Sequence, residues 1–241
     1  MQKYSKESPI AKLIGKITSV VNGQLFRYGE IEIENNNNVF SPEFTNCSIF
    51  FAENIKAKNG STCIEIGVGS SFNLISLSKK YSDLNLFGCD INHTAIALSK
   101  SNLNRNGISK YSIFHSDLFD KAPSIQFDYI YFNPPLLFEK PNNVLQSSIF
   151  DENGKTITKF IKECKNYTHS DSIVYILYTK KNQAYIENQL ELNGLFYSIV
   201  ADKVLTYETY YVYEVTFKKT DSPRKNGIQH GIANSGADGS N

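Results

Sequence analysis

The stretch Ile64-Glu65-Ile66-Gly67-Val68-Gly69-Ser70-Ser71 is an apolar run that leads into two glycines and two serines. Glycine adopts backbone conformations that other residues avoid, so a turn at Gly67 and Gly69 lets a ligand approach the main chain closely. Serines can cap the start of a helix, and a helical pattern follows them. The stretch therefore predicts a buried strand, a tight turn and a helix, which is the first unit of an α/β sheet.

Strands and helices alternate on both sides of this unit, which predicts right-handed crossovers and a parallel sheet. The predicted strands cover residues 62–66, 84–89, 111–115, 127–132 and 172–178, and the predicted helices cover 70–81, 93–104, 155–167 and 183–192. Two β-rich segments, 195–201 and 209–218, follow without a helix between them and predict an antiparallel hairpin at one sheet edge. Upstream, the pattern predicts a helix over 10–21, a strand within 25–34, an Asn-rich loop over 35–38 and a helix over 47–57.

Composition narrows the class of protein further. The chain has 241 residues, a formal net charge of +1 and four cysteines, none of them in a Cys-x-x-Cys pair. A near-neutral charge differs from the basic excess of proteins that bind mainly phosphate backbones. We predict reduced, structural cysteines and a cytoplasmic location, since the polar start of the chain resembles no export signal and no run is long enough to cross a membrane.

Acidic residues follow the strands in an order that suits a nucleoside. Gly67 and Gly69 lack the third glycine of a dinucleotide fingerprint, which argues against a pyrophosphate ligand. Asp90 lies about 20 residues beyond the glycines, where a carboxylate can accept both ribose hydroxyls. Asp117 follows the third strand and can accept the adenine amino hydrogen, with Leu118 and Phe119 beside it to enclose the ring. The alternative is that Asp90 and Asp117 only cap the turns or helices that follow them.

The sequence Phe132-Asn133-Pro134-Pro135 ends a strongly apolar strand. Proline fixes φ and removes a backbone donor, so carbonyl groups at this rim are left free on a stiff turn. The Asn133 side-chain oxygen and the Pro134 carbonyl can then accept both hydrogens of one NH2 group. Such an arrangement predicts chemistry on an amide or amino nitrogen, with Asn133 and Pro134 as the catalytic groups. The alternative is a loop that merely terminates the strand.

These motifs, in this order, resemble the S-adenosylmethionine-dependent class I methyltransferases, in particular the branch that contains the release-factor glutamine methyltransferases and amino-methylating RNA and DNA enzymes. The resemblance covers roughly residues 40 to 218. It implies a Rossmann-like fold with a mostly parallel seven-stranded sheet, helices on both faces and a C-terminal antiparallel hairpin. It also implies an extension or lid over 1–45 and a methyltransferase domain over 46–219. The tail over 220–241 is rich in Ser, Gly and Asn and is predicted to be disordered, because it can bury little apolar surface.

The same resemblance implies that S-adenosylmethionine binds at Glu65, Gly67, Gly69, Asp90, Asp117, Leu118 and Asn133, with Thr45 near its methionine end. Pro135 and the residues after it are expected to contact the acceptor. In this family an aromatic residue follows the two prolines, whereas this chain has Leu136. Either Phe138 folds back to stack on the acceptor, or the acceptor is not a flat group of the usual kind. No metal is expected, because His93 and His115 are predicted to be isolated from one another.

The acceptor and the reaction both leave alternatives. Only three arginines are present, which favours a small molecule, peptide or protein glutamine over nucleic acid as the acceptor. Tyrosines near the last hairpin could line an acceptor pocket or fill an edge strand; they are Tyr207, Tyr210, Tyr211 and Tyr213. The other possibilities are an RNA base methyltransferase, a non-catalytic binding scaffold, and an enzyme that cyclises S-adenosylmethionine and releases methylthioadenosine.

Overall fold

A computed structural model describes residues 21–44, 46–205 and 208–218 of the chain. The strands of this part are β1 Leu25–Tyr28, β2 Ile31–Glu34, β3 Thr62–Ile66, β4 Asn85–Asp90, β5 Tyr111–His115, β6 Phe127–Phe132, β7 Thr168–Thr179, β8 Phe196–Leu205 and β9 Glu208–Thr216. Its α-helices are α1 Cys47–Asn54, α2 Phe72–Lys80, α3 His93–Arg105, α4 Lys155–Cys164 and α5 Gln183–Leu192. The helix predicted over 10–21, except Val21, and the predicted tail lie outside the described residues.

The seven-stranded sheet has the order β5-β4-β3-β6-β7-β9-β8. Strand β3 pairs in parallel with both β4 and β6, whereas β9 runs antiparallel to β7 and β8. The predicted mostly parallel sheet with a terminal hairpin is therefore confirmed. Because the chain leaves β3 in one direction and returns to its other side as β6, the strand order reverses there. Open α/β sheets bind ligands in the crevice at such a reversal.

Several element boundaries differ from the sequence prediction for local reasons. The strand predicted within 25–34 is a hairpin of β1 and β2, which turns at Gly29 with a φ of 57°. Helix α2 begins at Phe72 rather than at Ser70, because Ser71 has a left-handed φ of 64°. After Cys164 the chain continues as a 3₁₀ turn over Lys165–Tyr167 rather than as α-helix. These changes leave the order of the units as predicted.

Each face of the large sheet packs against its own apolar cluster. One cluster joins the sheet to α1 and α2 through fully buried side chains such as Phe51 and Leu74. The other joins it to α4 and α5 through Phe160 and Ile186. Burial of large side chains on both faces explains why the central strands read as continuous apolar runs. No helix in the described residues is long and apolar enough to cross a membrane.

Two asparagines at the end of α3, one in its last turn and one at its C-cap, hold the small hairpin against this helix. Asn106 accepts a hydrogen bond from the Glu32 amide at 3.0 Å and donates to the Glu32 carbonyl at 2.7 Å. Asn102 does the same for Glu34, at 2.8 and 3.3 Å. The two side chains lie one helical turn apart, so they pair with alternate residues of β2 as a neighbouring strand would. The segment that follows β2 is thereby anchored over the carboxyl ends of the parallel strands.

Candidate functional site

A cavity of about 750 Å³ lies at the carboxyl ends of the parallel strands. It is lined by the turn after β3, by the ends of β4, β5 and β6, and by the loop between β6 and α4. The segment 38–44 and the first turn of α1 complete the lining. Predicted site residues that line it are Glu65, Gly67, Gly69, Asp90, Asp117, Leu118, Asn133, Pro134, Pro135 and Leu136. Thr45 lies outside the described residues. The predicted strand-end residues therefore share one cavity.

The glycine turn has the backbone geometry that its sequence predicts. Gly67 and Gly69 have φ values of 67° and 51°, which are left-handed conformations that favour glycine. Helix α3 fixes the turn from behind, because Ser99 Oγ donates to the Gly69 carbonyl at 2.8 Å and Asn102 Nδ2 donates to the Ser70 carbonyl at 3.1 Å. The turn presents main-chain groups to the cavity on a fixed support.

The prediction that Ser70 and Ser71 cap α2 is wrong for Ser71. Ser71 occupies the N-cap position, yet its side chain makes no capping hydrogen bond because its backbone is left-handed there. Its Oγ is buried and has no hydrogen-bond partner in the described part of the chain. Asn73, in the first turn of the same helix, donates a hydrogen bond to Glu65 Oε1 at 2.6 Å.

Glu65 and Asn73 form a buried polar pair at the floor of the cavity. Glu65 Oε2 and Asn73 Oδ1 are buried acceptors without a hydrogen-bond donor among the described residues. Burial raises the pKa of Glu65 from 4.5 to about 8, against the lowering effect of its hydrogen bond from Asn73. Buried acceptors normally have partners, so two unpaired ones beside a cavity suit a ligand that carries a hydrogen-bond donor, and a cationic donor best.

Asp90 lies at the end of β4, between two turns at the edge of the cavity. Its Oδ2 accepts the Gly69 amide at 3.0 Å and its Oδ1 accepts the Asn92 amide at 2.8 Å, so it braces the turns around it. The residue also lines the cavity. Burial raises its pKa, and the two backbone hydrogen bonds oppose that rise. A carboxylate has about four lone-pair sites, so Asp90 keeps acceptor capacity beyond these bonds.

Of the three residues 117–119 that follow β5, two line the cavity and one is buried in the core. Asp117 and Leu118 line the cavity, and Asp117 Oδ2 pairs with Lys159 Nζ at 3.3 Å. Phe119, which was predicted to enclose the adenine ring, does not line the cavity. Its ring is buried and stacks on Tyr167 and Phe160, with centroid distances of 4.6 and 5.6 Å. Apolar character alone could not show which of two neighbouring residues faces the sheet core.

Asn133 stands at the exit of β6 and is oriented from the opposite side of the cavity. Its Nδ2 donates to Ser48 Oγ of α1 at 3.3 Å. Among the described residues, neither Asn133 Oδ1 nor the Pro134 carbonyl accepts a hydrogen bond. The following turn is fixed, because the Leu136 carbonyl accepts Asn182 Nδ2 at 2.8 Å. Two acceptors without a partner in the described residues therefore belong to adjacent residues of the cavity rim.

The expectation that Phe138 contacts the acceptor is not met. Phe138 is not among the residues that line the cavity. Its ring packs edge-on against Tyr185, with the centroids 4.9 Å apart. The chain turns away after Leu137, whose carbonyl accepts the Asp151 and Glu139 amides. Leu136 is left as the apolar contact that follows the prolines.

Several residues of the cavity could not be found from their local sequence. Phe40 and Phe44 come from the segment before α1, and Ser48 from its first turn. Among the hairpin tyrosines, Tyr210 lines the cavity, Tyr213 is buried in the core and Tyr207 lies outside the described residues. Phe40, Phe44 and Ser48 belong to the cavity only because distant parts of the chain meet there.

The prediction that His93 and His115 are isolated from one another is wrong. Their rings are stacked, with centroids 3.8 Å apart and planes inclined by 3°. His93 begins α3 and His115 ends β5, and both elements adjoin β4, which brings the rings together. Among the described residues there is no cluster of three or more potential metal ligands. All four cysteines are buried, and no disulfide bond joins them.

Comparison of this sequence with known protein families identifies the family to which the chain belongs. Residues 30–214, more than half of the chain, match the methyltransferase small domain family. The release factor glutamine methyltransferase of Buchnera aphidicola subsp. Acyrthosiphon pisum (strain APS) is 28% identical over 123 residues, which are 46% of this chain and 44% of that protein. The chain spans less than half the length of the first curated relatives it matches.

Solved structures share the fold at low identity. A methyltransferase from Pyrococcus furiosus superposes with a TM-score of 0.61 at 12% identity, covering 86% of this chain and 98% of that one. SMU.776, solved with S-adenosylhomocysteine, gives a TM-score of 0.60 at 12% identity, over 88% of this chain and 57% of that one. Identities this low show the fold alone. By its sequence match, the chain belongs to the methyltransferase small domain family, and its cosubstrate is S-adenosylmethionine.

Proposed function

We propose that the chain methylates an amide or amino nitrogen of a small molecule, a peptide or a protein glutamine. The observation that carries the proposal is the pair of acceptors at Asn133. Its Nδ2 is engaged by Ser48 at 3.3 Å, which leaves Oδ1 available beside the Pro134 carbonyl. Two adjacent acceptors match the two hydrogens of an NH2 group, whereas a hydroxyl or carbon acceptor would use one or neither.

The residues around the cavity suit the parts of S-adenosylmethionine. Asp90 would accept the ribose hydroxyls and Asp117 the adenine amino group. Glu65 Oε2 and Asn73 Oδ1, buried without partners in the described residues, would accept the methionyl ammonium. A side chain at Gly67 or Gly69 would require a strained backbone at the place of closest approach. A cationic ligand would supply the hydrogen-bond donors that these buried acceptors lack.

When bound, S-adenosylmethionine supplies an electrophilic methyl group, so the protein needs to align and activate the nitrogen. An amide nitrogen is a weak nucleophile because its lone pair is delocalised. Asn133 Oδ1 and the Pro134 carbonyl would hold both N–H bonds and direct the lone pair toward the methyl group. They would also stabilise the positive charge that develops on nitrogen until a proton leaves to water.

The charges of the cavity favour an uncharged or cationic acceptor. Besides Glu65, whose pKa is raised, the acidic residues that line it are Asp90, Asp117, Asp151, Glu152 and Glu208, whereas its lysines are Lys155 and Lys181. Lys155 is also paired with Glu152, with its Nζ 2.6 Å from the carboxylate. A phosphate backbone would meet repulsion here, since affinity for nucleic acid depends on phosphate neutralisation. The likeness to a release factor glutamine methyltransferase supports a glutamine side chain among the uncharged candidates.

The test is methyl transfer from [methyl-³H]S-adenosylmethionine to defined acceptors. Blocked glutamine (N-acetylglutamine N′-methylamide), short glutaminyl peptides and total tRNA would be supplied separately, and products would be identified by mass spectrometry. We expect S-adenosylhomocysteine together with an N-methylated amide. Asn133→Ala should lower kcat by about 10²–10³-fold, the cost of losing one preorganised group, with S-adenosylhomocysteine affinity within several-fold.

Asn188→Ala is the matched control, because Asn188 is exposed on α5 and does not line the cavity. It should retain wild-type turnover. Methylated tRNA would replace the proposed acceptor with a nucleic-acid one. Methylthioadenosine as the product would indicate cyclisation of the cosubstrate, and binding without turnover on any acceptor would indicate a scaffold.

A further inference from the structure

Ser48 stands out among the cavity residues because its hydroxyl contacts the proposed catalytic amide from a different structural unit. Ser48 lies in the first turn of α1, and its sequence separation from Asn133 is 85 residues. Both residues line the cavity, and Ser48 is only 9% exposed. The contact therefore joins a helix on one side of the sheet to the rim at the end of β6.

An asparagine amide has two faces of opposite character, a carbonyl acceptor and an NH2 donor. Rotation by a half turn about the last side-chain bond would exchange them. The wrong orientation would present N–H groups to an NH2 acceptor, and the two donors would repel each other. The chemistry proposed for Asn133 therefore requires a group that selects one orientation.

We propose that Ser48 is a positioning residue that holds Asn133 with its Oδ1 toward the acceptor nitrogen. This inference rests on the proposed function. Ser48 Oγ accepts the Asn133 Nδ2 hydrogen at 3.3 Å, so the NH2 end is held at α1 and the carbonyl end is left for the cavity. In the half-turned orientation Ser48 would donate its own hydrogen to Oδ1 and the Asn133 NH2 would face the N–H groups of the acceptor, so only the orientation observed here pairs with Ser48 and with an NH2 acceptor at once.

The position of α1 is itself rigid, which gives the hydroxyl a fixed location. Phe50 and Phe51 of the same helix are 4% and 0% exposed and pack in the core cluster on that face of the sheet. Lys80 of α2 donates to the Ala52 carbonyl at 2.6 Å. Serine is small enough to leave the cavity open beside Asn133, so its role is one of orientation rather than of filling space.

The test compares Ser48→Ala, which lacks the acceptor, with Ser48→Thr, which retains a hydroxyl. Ser76→Ala is the matched control, because Ser76 is 6% exposed on α2 and does not line the cavity. The first readout needs no acceptor substrate. The side-chain amide signals of Asn133 in ¹H–¹⁵N spectra, identified by their loss in Asn133→Ala, report its hydrogen bond directly.

We expect the Asn133 amide signals to move toward those of a solvent-exposed asparagine in Ser48→Ala and to stay in place in Ser48→Thr and Ser76→Ala. Signals unchanged in Ser48→Ala would overturn the proposal. The affinity of all three variants for S-adenosylhomocysteine, measured by calorimetry, should remain within about twofold of wild type, since none of them changes a group proposed to bind it.

The second readout is turnover with blocked glutamine and S-adenosylmethionine. Ser48→Ala should lower kcat about tenfold at unchanged KM for the cosubstrate, because a misoriented amide costs alignment rather than binding. Ser48→Thr should restore most of it. Equal kcat in Ser48→Ala and wild type would remove Ser48 from the mechanism. If wild type methylates none of the acceptors, the proposed function fails, while the amide signals still decide whether Ser48 orients Asn133.

Discussion

Replacement of Glu65 by glutamine should change how the stability of the protein depends on pH. Glu65 is buried beneath the cavity, and burial raises its pKa from 4.5 to about 8. Between these two values the native state holds a proton that the unfolded state has released. The free energy of unfolding therefore falls as the pH rises through this window, because the unfolded chain gains from ionisation and the native chain does not.

The size of the effect follows from the two pKa values. Linkage with a native pKa of about 8 and an unfolded pKa of 4.5 gives a loss of roughly 2–3 kcal/mol between pH 5 and pH 7. The loss reaches about 4 kcal/mol at pH 9 and then levels off. Glutamine keeps the shape and the acceptor for Asn73 but cannot ionise, so Glu65→Gln should lack this component.

The assay is urea denaturation of both proteins, without ligand, at several values between pH 5 and pH 9. The difference between the two curves of unfolding free energy isolates Glu65, since all other titrating groups are shared. Wild type should lose stability relative to Glu65→Gln as the pH rises. Parallel curves would refute the raised pKa. With saturating S-adenosylhomocysteine the difference should shrink, because the ligand's ammonium would stabilise the ionised carboxylate.

Four further substitutions test other parts of the site. Asp90→Ala should weaken S-adenosylhomocysteine binding by about 1.5–3 kcal/mol in calorimetry, and an unchanged dissociation constant would show that this carboxylate does not contact the ligand. Gly67→Ala should cost about 1–2 kcal/mol in urea denaturation because its φ is 67°, and a stability equal to wild type would mean that the turn relaxes. Asn102→Ala should cost about 2–4 kcal/mol by the same measurement, since it leaves buried backbone partners unpaired, and a loss below about 1 kcal/mol would contradict its bracing role. Leu136→Tyr should raise kcat/KM for blocked glutamine about two- to tenfold through ring stacking, and a decrease would indicate an acceptor that is not planar.

The sheet was predictable because its central strands carry their own signal. The central strands over 62–66 and 127–132 have the predicted bounds, as do the edge strand over 111–115 and the helix over 183–192. A strand that is buried on both faces reads as an apolar run with sharp polar ends. Helix starts were less predictable, since the start of α2 depends on the backbone conformation of Ser71, which its side chain does not specify.

Some residues of the site could be predicted from their local sequence, whereas others depend on contacts between distant parts of the chain. Gly67 and Asn133 immediately follow their strands, and Asp90 ends its strand. The carboxyl ends of parallel strands lie at one edge of the sheet, so the order of the strands is enough to place these residues near one another. Phe138 and Phe119 were misplaced because an aromatic residue near a site can face either the cavity or the core. Neighbouring sequence does not distinguish these two faces.

The amide side chains of α3 show why the cavity wall could not be predicted. Asn102 binds both Glu34, on the hairpin, and the Ser70 carbonyl, in the glycine turn. Asparagine in a helix is ordinarily read as a neutral surface residue with low helix propensity, yet Asn102 is 0% exposed. Its contacts span 68 and 32 residues of chain. The role of Asn102 depends on how three elements pack together, namely α3, the hairpin and the glycine turn. The link that it makes between the hairpin and the glycine turn therefore exists only in the folded protein.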